Sequence, residues 1–158
     1  MTEGLFYDDS YLASCEARVV AVNADGIALD QTVFYAAGGG QPGDTGTLKT
    51  ATGMEISIAD TIKDKETGSI LHIPTEDAPA LQPGDVVTAA IDWDRRHRHM
   101  RMHTCLHLLC SLVEGGVTGG AIGAEKSRLD FDIPGEVPDK THKLTAPAFQ
   151  AGCRASSR

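Results

Sequence analysis

Between residues 36 and 46 the chain reads AAGGGQPGDTG, five glycines and a proline in eleven positions. That composition excludes a helix or a regular strand, so this stretch has to be a loop that adopts unusual dihedrals or passes close to another part of the backbone. Strand signals lie on either side of it. Upstream, "CEARVVAVNA" (15–24) alternates as a strand, Asp25-Gly26 predicts a tight turn with positive φ, and "IALDQTVFY" can pair back as a hairpin. Downstream, strands are expected at Met54 to Ala59, Ser69 to Ile73 and Val86 to Ile91, the last introduced by the turn "QPGD". The first ninety residues therefore read as a small, mostly antiparallel β lobe.

The pattern then changes period. Asp92 or Asp94 can cap a helix from about Arg95 to Glu114, with Met102, Leu106, Leu109 and Val113 on a buried stripe and Gly115-Gly116 ending it. "SRLDFDI" (127–133) alternates as a further strand closed by Pro134-Gly135, and the remainder is too poor in large apolar residues to add much core. The expected fold class is α+β. Residues 1–92 are expected to form the mostly antiparallel β lobe carrying the glycine-rich motif, 93–133 a partial second lobe, and 134–158 a loose tail.

At 158 residues and 41% hydrophobic content the chain can bury a real core. It has no apolar run long enough to cross a membrane and no secretory leader pattern, which gives a cytoplasmic protein as the expectation. Cys15, Cys105, Cys110 and Cys153 contain no CxxC pair and read as reduced thiols. A net charge of −8 argues against an indiscriminate nucleic-acid binder, yet four of the fourteen Lys and Arg residues, Arg95, Arg96, Arg98 and Arg101, fall within "RRHRHMR". Such a local patch suits an anionic substrate; a solvated helix start explains it equally well.

On a helix, residues four apart lie about 40° apart around the axis and roughly 6 Å along it, so His103 and His107 project from one face and can share a metal ion. His99 extends that stripe by another step, as a polar helix residue or a phosphate contact. Thr104 stands where a zinc peptidase needs glutamate, and the glycine-rich loop lacks the GxxxxGK[ST] spacing, so neither peptidase chemistry nor nucleoside triphosphate binding is expected. In the loop, Gln41, Asp44 and Thr45 are the polar side chains available to a small substrate. Cys105 points nearly opposite to His103 and reads as a packing thiol, as does Cys110.

Taken in order, "FYAAGGGQPGDTG", "HTCLHLL" and "SRLDFD" resemble the editing domain of alanyl-tRNA synthetase and its freestanding relatives, the alanyl-tRNA editing proteins, over about Leu5 to Ile133. The resemblance implies a β-barrel lobe packed on an α+β lobe that carries a zinc ion. It implies hydrolysis of mischarged tRNA(Ala), chiefly Ser-tRNA(Ala), with His103 and His107 as the first two zinc ligands. The family completes the metal site with a later CxxxH pair. Here the only later histidine and cysteine are His142 and Cys153, in reversed order, so the expectation is a chain that stops before the second half of the catalytic lobe. Where relatives carry a glutamine after the HxxxH helix, this sequence has Ala121.

By the same resemblance, Thr45 supported by Gln41 and Asp44 would recognise the serine hydroxyl, and Arg95, Arg96, Arg98 and Arg101 the acceptor-end phosphates. The competing readings are a non-catalytic tRNA-acceptor or protein-binding remnant and a plain structural module. The sequence leaves the oligomeric state and the choice between serine and glycine open.

Overall fold

A computed structural model describes residues 2–76, 78–113 and 115–132. These form ten strands, a 3-10 turn and one α-helix. In chain order they are β1 (Glu3–Gly4), the 3-10 turn Leu5–Tyr7, β2 (Ser14–Asn23), β3 (Gly26–Leu29), β4 (Gln31–Thr32), β5 (Gly46–Thr50), β6 (Glu55–Lys63), β7 (Ile70–Pro74), β8 (Val86–Ile91), α1 (Trp93–Cys110), β9 (Gly116–Ala121) and β10 (Arg128–Asp132). The α+β class and the antiparallel barrel expected from the sequence are both present. Six strands close in the order β2-β3-β7-β6-β5-β8, every neighbouring pair antiparallel.

Alternation explains the barrel. Along β6 and β8, residues such as Ile56, Ile58, Val87 and Ala89 point inward while their neighbours face solvent. Closure brings these together with Val19, Leu29, Val33, Phe34 and Leu48 in one apolar core. Thr32, Thr61 and His72 are polar side chains sealed into this lobe. His72 is fully buried, with Nδ1 2.9 Å from the Ile27 carbonyl and Nε2 2.8 Å from the Thr32 hydroxyl. The carbonyl can only accept, so Nδ1 carries a proton, and the lowered pKa leaves the ring neutral at pH 7. Burial pushes its pKa down to about 4.

Two local expectations change. The β2–β3 hairpin forms, but Asn23 pairs with Gly26, so the turn residues are Ala24 and Asp25, and no non-glycine residue among those described has positive φ. An Asp25 N–H bond to the Asn23 side chain at 3.0 Å holds the turn. Gly26 is required for a different reason: its φ is +138° and a Cβ there would meet the His72 carbonyl at 2.9 Å. Second, "IALDQTVFY" is not one strand. It breaks at Asp30, after which β4 pairs in parallel with β1.

The helix begins where expected, with Asp92 accepting from the Arg95 N–H at 3.1 Å, but it ends at Cys110. The expected stripe is not a core. Among the described helix residues only Arg96 and His99 are buried; Met102, Leu106, Leu109 and Val113 are half-buried, and Leu108 and Leu112 are exposed. In the described residues the second lobe supplies only the β9–β10 ribbon, so this face borders an open cleft. The strand at 127–133 appears as β10, up to Asp132, and the tail assigned to 134–158 lies outside the described residues. No helix among the described residues is long and apolar enough to cross a membrane.

Candidate active site

Strand pairing brings the glycine-rich loop and the helix together. The loop runs into β5, the helix leaves β8, and β5 and β8 are barrel neighbours with Gly46 opposite Ile91. The Asp92 N–H donates to the Thr45 carbonyl at 2.8 Å, fastening the helix start to the loop end. Within the loop, Gly38 and Gln41 exchange two backbone hydrogen bonds of 3.0 Å around Gly39 (φ +58°) and Gly40 (φ +79°). Positive φ at both central residues is the I′ geometry that glycine adopts freely. Further along, a Cβ on Gly43 would lie 2.0 Å from the Thr61 carbonyl, so the loop rests directly on β6.

A buried ion pair locks the helix to the loop. The Asp44 carboxylate accepts from Arg96 Nε at 3.0 and 2.8 Å and from Arg96 NH2, and also from the Tyr35 N–H at 2.8 Å. Arg96 donates a further bond to the Val33 carbonyl at 2.8 Å, and Arg95 reaches the Gly43 carbonyl at 2.7 Å. Arg96 and Asp44 are 3% and 1% exposed, which decides their use. The sequence reading gave Arg96 to phosphate and Asp44 to substrate; in the fold the two pair with each other and with the backbone of Val33 and Tyr35. Arg95 is partly committed to the loop backbone. Arg98 and Arg101 are exposed and enter no ion pair among the described residues.

Two turns beyond Arg96 along α1, the rings of His103 and His107 stand side by side, centroids 5.0 Å apart and planes 15° apart. His103 Nδ1 lies 3.1 Å from Gln41 Oε1. With the amide oxygen accepting, Nδ1 carries the proton and Nε2 presents its lone pair, the arrangement by which an outer partner orients a ligating histidine. Gln41 thus contacts a histidine, where the sequence reading aimed it at substrate. Burial, then the neighbouring His107, lowers the pKa of His103. His99, four residues earlier, is buried with Nδ1 unpartnered among the described residues, and its pKa is lowered by burial and by Arg95.

His103 and His107 line a cleft of about 590 Å³, shared with Gly39, Gly40, Leu106, Cys110, Ile122, Leu129 and residues 117–120 of β9. The β9 end is tied to the loop by Ile122 N–H donating to the Gly40 carbonyl at 2.7 Å. Thr45 is half-buried and is not among the lining residues. The lining hydroxyl is Thr118, on a strand whose glycine-rich sequence concealed it. Cys110, read from the sequence as a packing thiol, also lines the cleft, three residues beyond His107. Zinc takes three protein ligands or four. Among the described residues no group of three or more His, Cys, Asp or Glu side chains converges, so the histidine pair fits half of such a site and does not complete it. His142 and Cys153 lie outside the described residues.

The sequence profile of the family described as tRNA synthetases class II (A) matches residues 6–95. The chain is 42% identical over 141 residues to the alanyl-tRNA editing protein AlaX-M of Methanosarcina barkeri, covering 84% of this chain and 57% of that protein. It is 40% identical over 141 residues to AlaX-M of Pyrococcus horikoshii (85% and 62%) and 44% identical over 137 residues to the alanine–tRNA ligase of Sulfurisphaera tokodaii (82% and 15%). The chain belongs to the class II (A) tRNA synthetase family, as an editing domain of the AlaX type. It spans about 60% of the length of the freestanding relatives it matches.

Proposed function

We propose that this chain serves the trans-editing of mischarged tRNA(Ala), hydrolysing the ester that joins a wrong amino acid, chiefly serine, to the terminal ribose. The observation that carries this reading is the hydrogen bond between Gln41 and His103, which joins the glycine-rich loop to the histidine pair at the edge of an open cleft. In this reading His103 and His107 are two ligands of a zinc site whose remaining ligands lie beyond the described residues. When bound, the metal would polarise the ester carbonyl or acidify water. Gln41 holds His103 in the tautomer that leaves Nε2 free. Thr118 is positioned along the cleft to hydrogen-bond a serine hydroxyl, a group alanine lacks, and a polar partner of that kind gives the strongest discrimination. Arg98 and Arg101 take acceptor-end phosphates.

The test is serine release from Ser-tRNA(Ala). No turnover by the full-length protein supplied with zinc rejects the assignment. A second reading, a non-catalytic tRNA-acceptor or protein-binding domain, is favoured by the lack of a third convergent ligand among the described residues. Metal analysis separates the two, since a pair of histidines holds zinc exchangeably and a complete site retains one equivalent.

A further inference from the structure

Gln41 has a second face. While its Oε1 meets His103, the residue also lines a hollow of about 290 Å³ with Phe6, Tyr7, Tyr35 and Met100, and among the described residues its amide nitrogen donates to no protein group. Phe6 packs edge-on against Tyr35 at 5.4 Å and supports Tyr7 at 4.5 Å. Tyr7 is 79% exposed, so a face of its ring is open to a ligand. Behind them the buried Arg96 guanidinium sits 6.0 Å from the Phe6 ring and 5.9 Å from the Tyr35 ring, fixing the aromatic group to the same ion pair that holds the loop. Met100 also borders the groove that contains Arg101, and Gln41 links the hollow to His103 of the histidine cleft.

Aromatic faces beside positive charge are the means by which proteins hold unpaired nucleotides, through stacking and phosphate contact together. We propose that this hollow receives the adenine of the RNA's 3′-terminal nucleotide, stacked on Tyr7, while the aminoacyl group enters the cleft beside His103 and the ribose lies over Gln41. This rests on the proposed tRNA function. It adds a base-holding subsite that places the ester at the histidine pair: the chain arrives past Arg101 and Met100, and its last base anchors the reactive end. Stacking, with few ion pairs, would then dominate local affinity, consistent with a chain of net charge −8.

The experiment measures binding of fluorescent hairpins carrying the tRNA(Ala) acceptor stem, ending in CCA or with the terminal adenosine removed, to the protein and to its Tyr7→Ala and Tyr7→Phe variants. Tyr7 is exposed, so the melting temperature should hold in both. Removing the adenosine, or making Tyr7→Ala, should each weaken binding about ten-fold. Tyr7→Phe should stay within about two-fold of the parent, and the two losses should not add, because they remove one contact. Equal affinity of the Tyr7→Ala variant for the intact end, or additive losses, would overturn the subsite and leave the editing reading standing. Failure of the parent protein to bind either hairpin would overturn both.

Discussion

Lowering the pH should unfold this domain through a residue far from the cleft. His72 is neutral in the fold with a pKa of about 4, against an ordinary value of 6.5. Between those values the unfolded chain binds a proton that the folded chain refuses, so stability rises with pH across the window and is lost as pH falls from 6.5 to 4. At pH 5 an unfolded histidine is almost wholly protonated and His72 is about nine-tenths neutral, a difference of about 2 kcal/mol, approaching about 3 kcal/mol below pH 4. Urea unfolding at pH 7.5 and 5.0 measures it. Other groups titrate too, so the test compares the parent with His72→Gln, which cannot titrate; the variant should lose about 2 kcal/mol less on acidification. Should that variant fail to fold, the ring protons of His72 in the parent should show no titration by NMR above pH 5. Equal acid sensitivity of the two proteins, or a His72 ring that titrates near 6.5, would refute the neutral buried ring.

Four further outcomes are expected. Arg96→Met strands the Asp44 carboxylate in a dry site and should cost about 3–5 kcal/mol in urea unfolding, whereas Arg98→Met, at an exposed position, should cost less than about 0.5 kcal/mol. Gln41→Ala should release the His103 tautomer, visible as mixed ring nitrogen shifts at pH 7.5 where the parent shows one, and lower deacylation by the full-length protein about 10- to 100-fold. Thr118→Val should cut discrimination between Ser-tRNA(Ala) and Ala-tRNA(Ala) about ten-fold or more in that protein, with serine release falling and alanine release little changed. Zinc added to this chain should exchange readily into a chelator, with binding abolished in His103→Ala, as equilibrium dialysis would record.

How much of this could be read from residues alone depended on whether the signal was local. β8 and the helix start follow from turn chemistry and capping within a few residues of each other, and both fall where the sequence put them. β5 and β9 were missed because their strand character comes from partners: "GTLKT" is held between β6 and β8, and "GVTGGA" has low strand propensity of its own and exists by pairing with β10. The histidine pair was legible from its spacing of four, which any helix converts into one face. The destination of Arg96 was not, since nothing in "RRHRHMR" distinguishes an arginine that meets phosphate from one that turns inward to a carboxylate 52 positions earlier. That choice is made by the barrel.

The same barrel geometry explains why a loop with so little side chain can organise a site. β5 and β8 pair at the rim, so the segment before β5 and the segment after β8 leave the barrel together. A loop of ordinary residues could not lie on β6 there, because a side chain at position 43 would collide with the Thr61 carbonyl. Glycine allows the approach but leaves the loop floppy. The Asp44–Arg96 pair offsets that freedom, and its low exposure makes the lock stiff, since breaking it leaves a charge without water. The Gln41–His103 contact therefore depends on the ion pair, three residues from Gln41 and seven from His103, more than on either residue's own propensity. Replacing Arg96 by lysine, which keeps the charge but loses the fork that meets Asp44 and Val33, should therefore disorder the His103 tautomer as Gln41→Ala does. A variant that loses the fork yet keeps a single His103 tautomer would show that the loop holds its shape without the clamp.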